Sequence, residues 1–183
     1  MNGTSIGLLE LTSVAAGYAA ADAMLKAGEV RLLLSRSICS GKFMVLIGGE
    51  PSAVAASLDA GARASSGCVI EQVHLTQLHP EVLEAVGRCG WAPPGGALGV
   101  VESFSVASLV AAADAAMKAA SITLLELRLA MALGGKAVAL FTGDTASVQG
   151  GVAAAERVLV ESGTLVHSVV LPRPHPDLYR ELV

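Results

Sequence analysis

Charge is what this sequence has least of. Of its 183 residues only 15% are Asp, Glu, Lys or Arg, and only 3% are aromatic; about a quarter charged is usual for a globular domain. A chain that is 53% hydrophobic with a net charge of −4 is nonetheless a folding one, because disorder pairs low hydrophobicity with high net charge. Long apolar runs are missing too. Stretches such as Phe43 to Ile47 and Val106 to Met117 are short or broken by Asp114, against the roughly 20 apolar residues that span a bilayer. The low charge therefore points to surface buried against other subunits, an obligate oligomer and not a membrane protein. Three cysteines, an odd number, fit no disulfide framework. Met1-Asn2-Gly3-Thr4-Ser5 shows no basic region leading into an apolar core, so no secretory signal is expected, and the reading is cytosolic. No basic patch argues for nucleic acid. Phosphate-loop, His-Glu-x-x-His and Gly-x-Ser-x-Gly motifs are all absent, so no enzyme is expected.

What is present is a repeat. Residues 6–26 set against 98–118, an offset of 92, give 11 identities, including Gly7/Gly99, Glu10/Glu102, Asp22/Asp114 and Lys26/Lys118. Two small slips in register then align Gly41-Lys42 with Gly135-Lys136, Gly67 with Gly163, and His79-Pro80 with His175-Pro176. Self-similarity at a fixed period marks a duplicated unit. The expected domains are residues 1–89 and 98–183, joined by a linker over 90–97 rich in proline and glycine (Gly90-Trp91-Ala92-Pro93-Pro94-Gly95-Gly96).

Each copy reads alike. Ile6 to Leu11 is a short apolar strand ending at Thr12-Ser13, a helix N-cap. Val14, Tyr18, Ala21 and Leu25 recur at helical spacing and predict the buried stripe of a helix closing near Gly28. Val30–Ser35 and Phe43–Ile47 predict two strands joined by the loop Arg36 to Gly41. Pro51 suits the start of a second helix with Val54, Leu58 and Ala62 on one side. Val69–Leu75 predicts a fourth strand, and Pro80–Val86 a short closing helix. The fold class is α+β, with β-α-β-β-α-β in the ferredoxin-like order plus a helical tail, twice over.

Four elements, Gly7-Leu8-Leu9-Glu10, Ala21-Asp22-Ala23-Met24-Leu25-Lys26-Ala27, Ile38-Cys39-Ser40-Gly41-Lys42 and Pro172-Arg173-Pro174-His175, resemble the bacterial microcompartment domain. The resemblance spans nearly the whole chain and occurs twice in non-permuted order, as in tandem-domain shell proteins, and is nearest to the iron–sulfur-binding kind of propanediol-utilisation compartments. It implies a pseudohexameric homotrimer that tiles a microcompartment shell beside other shell proteins. It also implies tile-edge roles for Lys26, Lys118 and Arg173, although the first copy has Gln77-Leu78-His79-Pro80 where the second has Pro-Arg-Pro-His. A central pore is implied on the three-fold axis, lined by Ser37, Ile38, Cys39, Ser40 and Gly41 of the first copy and by Gly134 and Gly135 of the second.

Three Cys39 thiolates meeting there would form a soft ligand set, suited to an iron–sulfur cluster, zinc or Cu(I); of these the resemblance implies a 4Fe-4S cluster, whose fourth iron would be served by solvent or a partner. Such a tile would move electrons or cluster components across the shell, to a redox partner or encapsulated enzymes. Ser40 stands where the resembled proteins have proline in a Cys-Pro-Gly-Lys loop. The alternatives are a cluster-free tile with a metabolite pore and, more distantly, a trimeric regulator that binds a small molecule between subunits. The remaining candidates read as structural. Cys68 is a small hydrophobe, and Cys89 adjoins the linker without a ligand-spaced partner. His79 and His175 recur before prolines, which fits a structural hydrogen bond, and Glu10 and Glu102 recur at strand ends. His74 and His167 have no nucleophile beside them. Gly134-Gly135-Lys136, a weak phosphate-loop candidate, has its mate in Gly41-Lys42 and belongs to the scaffold.

Overall fold

A computed structural model describes residues 5–86, 96–130 and 133–180, with the side chains of 179 and 180 left aside. The first copy runs β1 (Ser5–Leu11), α1 (Val14–Ala27), β2 (Val30–Ile38), β3 (Lys42–Gly49), α2 (Pro51–Ala64), β4 (Val69–Leu75) and α3 (Pro80–Ala85). The second repeats it: β5 (Ala97–Ser103), α4 (Val106–Ala119), β6 (Thr123–Arg128), β7 (Ala137–Gly143), α5 (Thr145–Glu161), β8 (Leu165–Leu171) and α6 (Pro176–Arg180). Each copy builds a four-stranded antiparallel sheet, in the order β2-β3-β1-β4 and β6-β7-β5-β8. This is the ferredoxin-like order expected from the sequence. Cys89 and residues 90–95 of the expected linker lie outside the described residues, and Ala97 already pairs with Gly143.

By packing, the chain divides into two units that exchange short pieces. Residues 5–78 group with 133–135, while α3 groups with the second copy. The tail of the first repeat thus belongs to the second unit.

Local chemistry explains the element ends. Ser13 Oγ accepts from the Ala16 N–H at 3.3 Å, and the repeat-equivalent Ser105 Oγ accepts from Ser108 N–H at 3.1 Å; each satisfies a donor that the first helical turn leaves open. Pro51 opens α2, where its missing N–H costs nothing. Asp144 caps α5 by accepting from Ser147 N–H at 3.0 Å, and the Ser147 side chain and backbone hold its carboxyl below the ordinary value.

The core of the first unit joins Leu9, Leu11, Phe43, Val45 and Ile47 of the sheet to Ala20, Ala21, Met24, Val54 and Leu58 of the two helices. Gly7 and Gly99, identical in the repeat, let the second helix of each copy close on the sheet. A Cβ on Gly7 would lie 2.9 Å from Val54, and one on Gly99 2.8 Å from Val148.

Two expectations need correcting. The inward face of α1 is Gly17, Ala20, Ala21 and Met24, whereas Val14, Tyr18 and Leu25 of the expected stripe are exposed and only Ala21 is buried. The reason is Phe43: its ring lies so close under α1 that a Cβ on Gly17 would stand 2.2 Å from it, so small residues face inward. Second, Arg36, Ser37 and Ile38 are not loop. β2 stays paired with β3 to Ile38 opposite Lys42, leaving three residues for the turn.

Candidate functional site

The β2–β3 hairpin turns on Cys39, Ser40 and Gly41, a single 3-10 turn. Two left-handed residues reverse the chain: Ser40 at φ 69° and Gly41 at φ 75°. Glycine adopts this region freely, but a residue with a Cβ is penalised by roughly 1–2 kcal/mol. Ser37, Ser40 and Gly41 are exposed at the tip, Cys39 is half-buried, and Ile38 points into the protein. The corresponding segment of the second copy is two residues longer, from Arg128 to Lys136 where the first has Arg36 to Lys42. Within it Met131 and Ala132 lie outside the described residues, and Gly134 and Gly135 are left-handed at φ 61° and 88°. Gly135 is buried against the first hairpin tip, where a Cβ would stand 2.7 Å from Ser40 Oγ. The pieces expected to line one pore, Cys39-Ser40-Gly41 and Gly134-Gly135, therefore do come together in one unit.

Just behind the tips stand two lysines, each paired with a glutamate. Lys42 Nζ meets Glu10 Oε1 at 2.9 Å, and Lys136 Nζ meets Glu102 Oε2 at 3.2 Å. The Gly-Lys turns and the glutamates of β1 and β5 are thus two halves of one repeated ion pair.

The BMC domain family matches the chain twice, over residues 5–78 and 97–174. The chain belongs to the BMC-domain family. It is 38% identical to the bacterial microcompartment shell protein PduT of Citrobacter freundii over 179 residues, 98% of this chain and 97% of that protein. A solved microcompartment protein from Desulfitobacterium hafniense DCB is 45% identical and superposes with a TM-score of 0.86, covering 97% of this chain and 98% of that one. A fused permuted hexameric shell protein of the RMM microcompartment shares the fold at a TM-score of 0.67 and 20% identity, over 86% of this chain and 82% of that one. The chain is a shell component of a bacterial microcompartment, as the resemblance implied. Among the described residues no helix is long and apolar enough to cross a membrane.

The two BMC domains place their helix-end lysines alike. Lys26 closes α1 and bonds Asp22 at 2.6 Å; Lys118 closes α4 and bonds Asp114 at 2.6 Å. Each sits where the helix dipole favours a cation. Lys118 stays 43% exposed although Asp114 is only 7% exposed, so its amine leans outward from a buried carboxylate. Arg173, after β8, is exposed.

The histidines divide by role. His79 donates its backbone N–H to Asp114 Oδ1 at 2.8 Å, and its Nδ1 is buried without a partner. His74 Nε2 lies 2.7 Å from Ser5 Oγ. His175 faces Asp177, and His167 is exposed on β8. Cys68 packs against the first core, while its carbonyl accepts from Thr12 N–H at 2.8 Å. No group of three His, Cys, Asp or Glu side chains is gathered for a metal among the described residues of one chain. Sequence reasoning treated Glu10, Glu102 and the two Gly-Lys turns separately; their joint recurrence was the signal for the ion pairs.

Proposed function

We propose that this BMC-domain chain assembles as a homotrimeric, pseudohexameric tile, structural and not enzymatic, whose pore is lined by the Cys39 hairpin and the Gly134-Gly135 loop. The observation that carries the reading is the hairpin tip. Cys39 is the one metal-ligating side chain on it, half-buried between an inward Ile38 and an exposed Ser40. A three-fold axis through that tip brings three thiolates together, a soft ligand set suited to iron–sulfur clusters. Each chain supplies one ligand, so the site exists only in the assembled state and binding favours assembly. A bound 4Fe-4S cluster would supply one-electron chemistry at the pore. The chain's own part is to hold Cys39 at the tip, with Gly41 and Gly135 keeping the turn compact.

Ser40 favours a second reading. At φ 69° it holds a backbone conformation closed to proline, whose ring fixes φ near −65°. The turn therefore differs from a Cys-Pro-Gly-Lys loop, and a cluster-free pore lined by Ser37, Cys39 and Ser40 would pass a small polar metabolite. Anaerobic purification with iron and labile-sulfide analysis separates the two. About one four-iron cluster per three chains, lost in Cys39→Ser, supports the cluster; iron-free trimers from the same preparation leave the metabolite pore.

Lys26, Lys118 and Arg173 serve the tile edges in this reading, meeting neighbouring shell proteins with long stems and wet charged tips. Lys26→Ala should abolish extended sheets in electron micrographs while trimers persist in sedimentation. Sheets of normal extent from that variant would remove Lys26 from the edge.

A further inference from the structure

The two copies hold the same arginine differently. Arg36 on β2 and Arg128 on β6 are repeat equivalents, opposite Met44 and Val138 on their neighbouring strands. Arg128 is held by its own strand. Its Nε donates to Glu126 Oε1 at 2.8 Å, and its Nη2 meets the same oxygen at 2.5 Å. In the first copy Leu34 stands at the position of Glu126, opposite Leu46 as Glu126 is opposite Leu140. The carboxylate is gone and the guanidinium remains. Arg36 is half-buried, and its Nε is buried without a partner.

The acids on the same sheet face are too far or already engaged. Across the strands the row runs Arg36, Met44, Glu10, Glu71, so the nearer carboxylate starts two strand spacings of about 4.8 Å away. Fully buried Met44 stands between, and Glu10 is bonded to Lys42 at 2.9 Å. Among the described residues no carboxylate forms an ion pair with Arg36.

Buried donors are almost always satisfied, and a guanidinium fork selects a planar oxyanion. The second copy names the chemistry, since a carboxylate fills the same edge of Arg128. We propose that Arg36 is a binding site for a small free carboxylate. The anion meets the guanidinium from its exposed side, and a turn of the side chain brings Nε onto it. Leu34, half-buried where Glu126 carries charge, lies beside the aliphatic part of the ligand, which points to a short-chain monocarboxylate. The site is complete in one chain, so it stands whether or not a cluster is bound or the tile assembles.

The test follows the Arg36 Nε–H resonance, identified by its loss in Arg36→Gln, while full-length protein is titrated with butyrate at constant ionic strength. A saturable shift is expected, absent when chloride replaces butyrate. The backbone amides of Ser35 and Ser37 should respond in parallel, and in Arg36→Gln they should need at least about tenfold more butyrate. Leu34→Glu rebuilds the arrangement of the second copy: Arg36 Nε–H should take its bound position without butyrate and no longer respond to it. Circular dichroism checks that both variants fold. No saturable shift in wild type, an equal one with chloride, or a response untouched by both substitutions would overturn the site. So would an Nε–H signal that ignores butyrate in assembled protein and moves on dilution to single chains, because a carboxylate of another copy would then hold Arg36.

Discussion

The repeated ion pair behind the hairpin tips gives a controlled comparison inside one molecule. Lys42→Met and Lys136→Met make the same change twice, keeping most of the side-chain stem and deleting the charge. The surroundings differ: Glu10 is 0% exposed with Lys42 at 20%, whereas Glu102 is 31% exposed with Lys136 at 37%. Removing the cation leaves a fully buried carboxylate without that counter-charge, which costs about 3 kcal/mol or somewhat more. At the second site water reaches the glutamate left behind, so the loss should be about 0.5–1 kcal/mol. With a urea slope of about 3 kcal/mol/M for a protein of this size, Lys42→Met should lower the unfolding midpoint by about 1 M.

The assay is urea denaturation at matched protein concentration, since oligomers gain apparent stability by mass action. The double variant Glu10→Gln/Lys42→Met should recover much of the loss, because it removes the buried charge together with its partner. Losses for Lys42→Met and Lys136→Met that agree within about 0.5 kcal/mol would refute burial as what sets the weight of the pair.

The other predictions follow from packing and backbone. Helix propensity alone makes Gly17→Ala stabilising by about 1 kcal/mol, but its Cβ would stand 2.2 Å from Phe43 Cδ1, and overpacking costs about 1–3 kcal/mol; a net loss of melting temperature is expected, and a gain would refute the close approach. Ser40→Gly should stay within about 1 kcal/mol of wild type, whereas Ser40→Pro should cost more than about 1 kcal/mol because φ 69° is closed to it; a well-folded, undiminished Ser40→Pro protein in thermal melts would show that the turn is not left-handed. Asp144 has its carboxyl lowered from 3.8, so its contribution is present above that value and fades as pH falls through the lower folded one. The melting-temperature gap between wild type and Asp144→Ala should therefore narrow below about pH 4, and a gap that widens in acid would contradict the cap.

Much of the fold was legible because each element carries its own local reason. Short apolar runs fix the strands, Ser13 and Pro51 fix helix starts, and the repeat confirms each element once more. What misled was hydrophobicity on α1. Val14, Tyr18 and Leu25 are the bulky apolar residues at helical spacing, so periodicity assigns them to the core. The true inward face holds Gly17 and Ala20 because the bulk on that side comes from Phe43 of the sheet. The second copy solves the same problem in reverse, with buried Leu109 on the helix at the position of Gly17 and Ala137 on the strand at the position of Phe43. No pattern within one copy reveals such a trade of volume between helix and strand. The hairpin tip was legible as the candidate site, but the length of β2 was not, since Arg36-Ser37 reads as loop until its partners on β3 are known.

That misreading of α1 has a physical meaning. A helix face turned to water has no reason to keep valine, tyrosine and leucine in register, and exposed apolar patches invite unwanted association. The face is nonetheless apolar in both copies, and on the α4 copy it is covered by α3. If the duplicated unit needed that face only for its own core, α1 would have been free to become polar once α3 was committed to the second unit. Asp22 makes the same point in polar form: it repeats the acceptor that Asp114 offers to the His79 N–H, and its carboxylate, bonded to Lys26, stays 63% exposed. Apolar stripe and acceptor together fit a face that is covered when the proposed tile assembles.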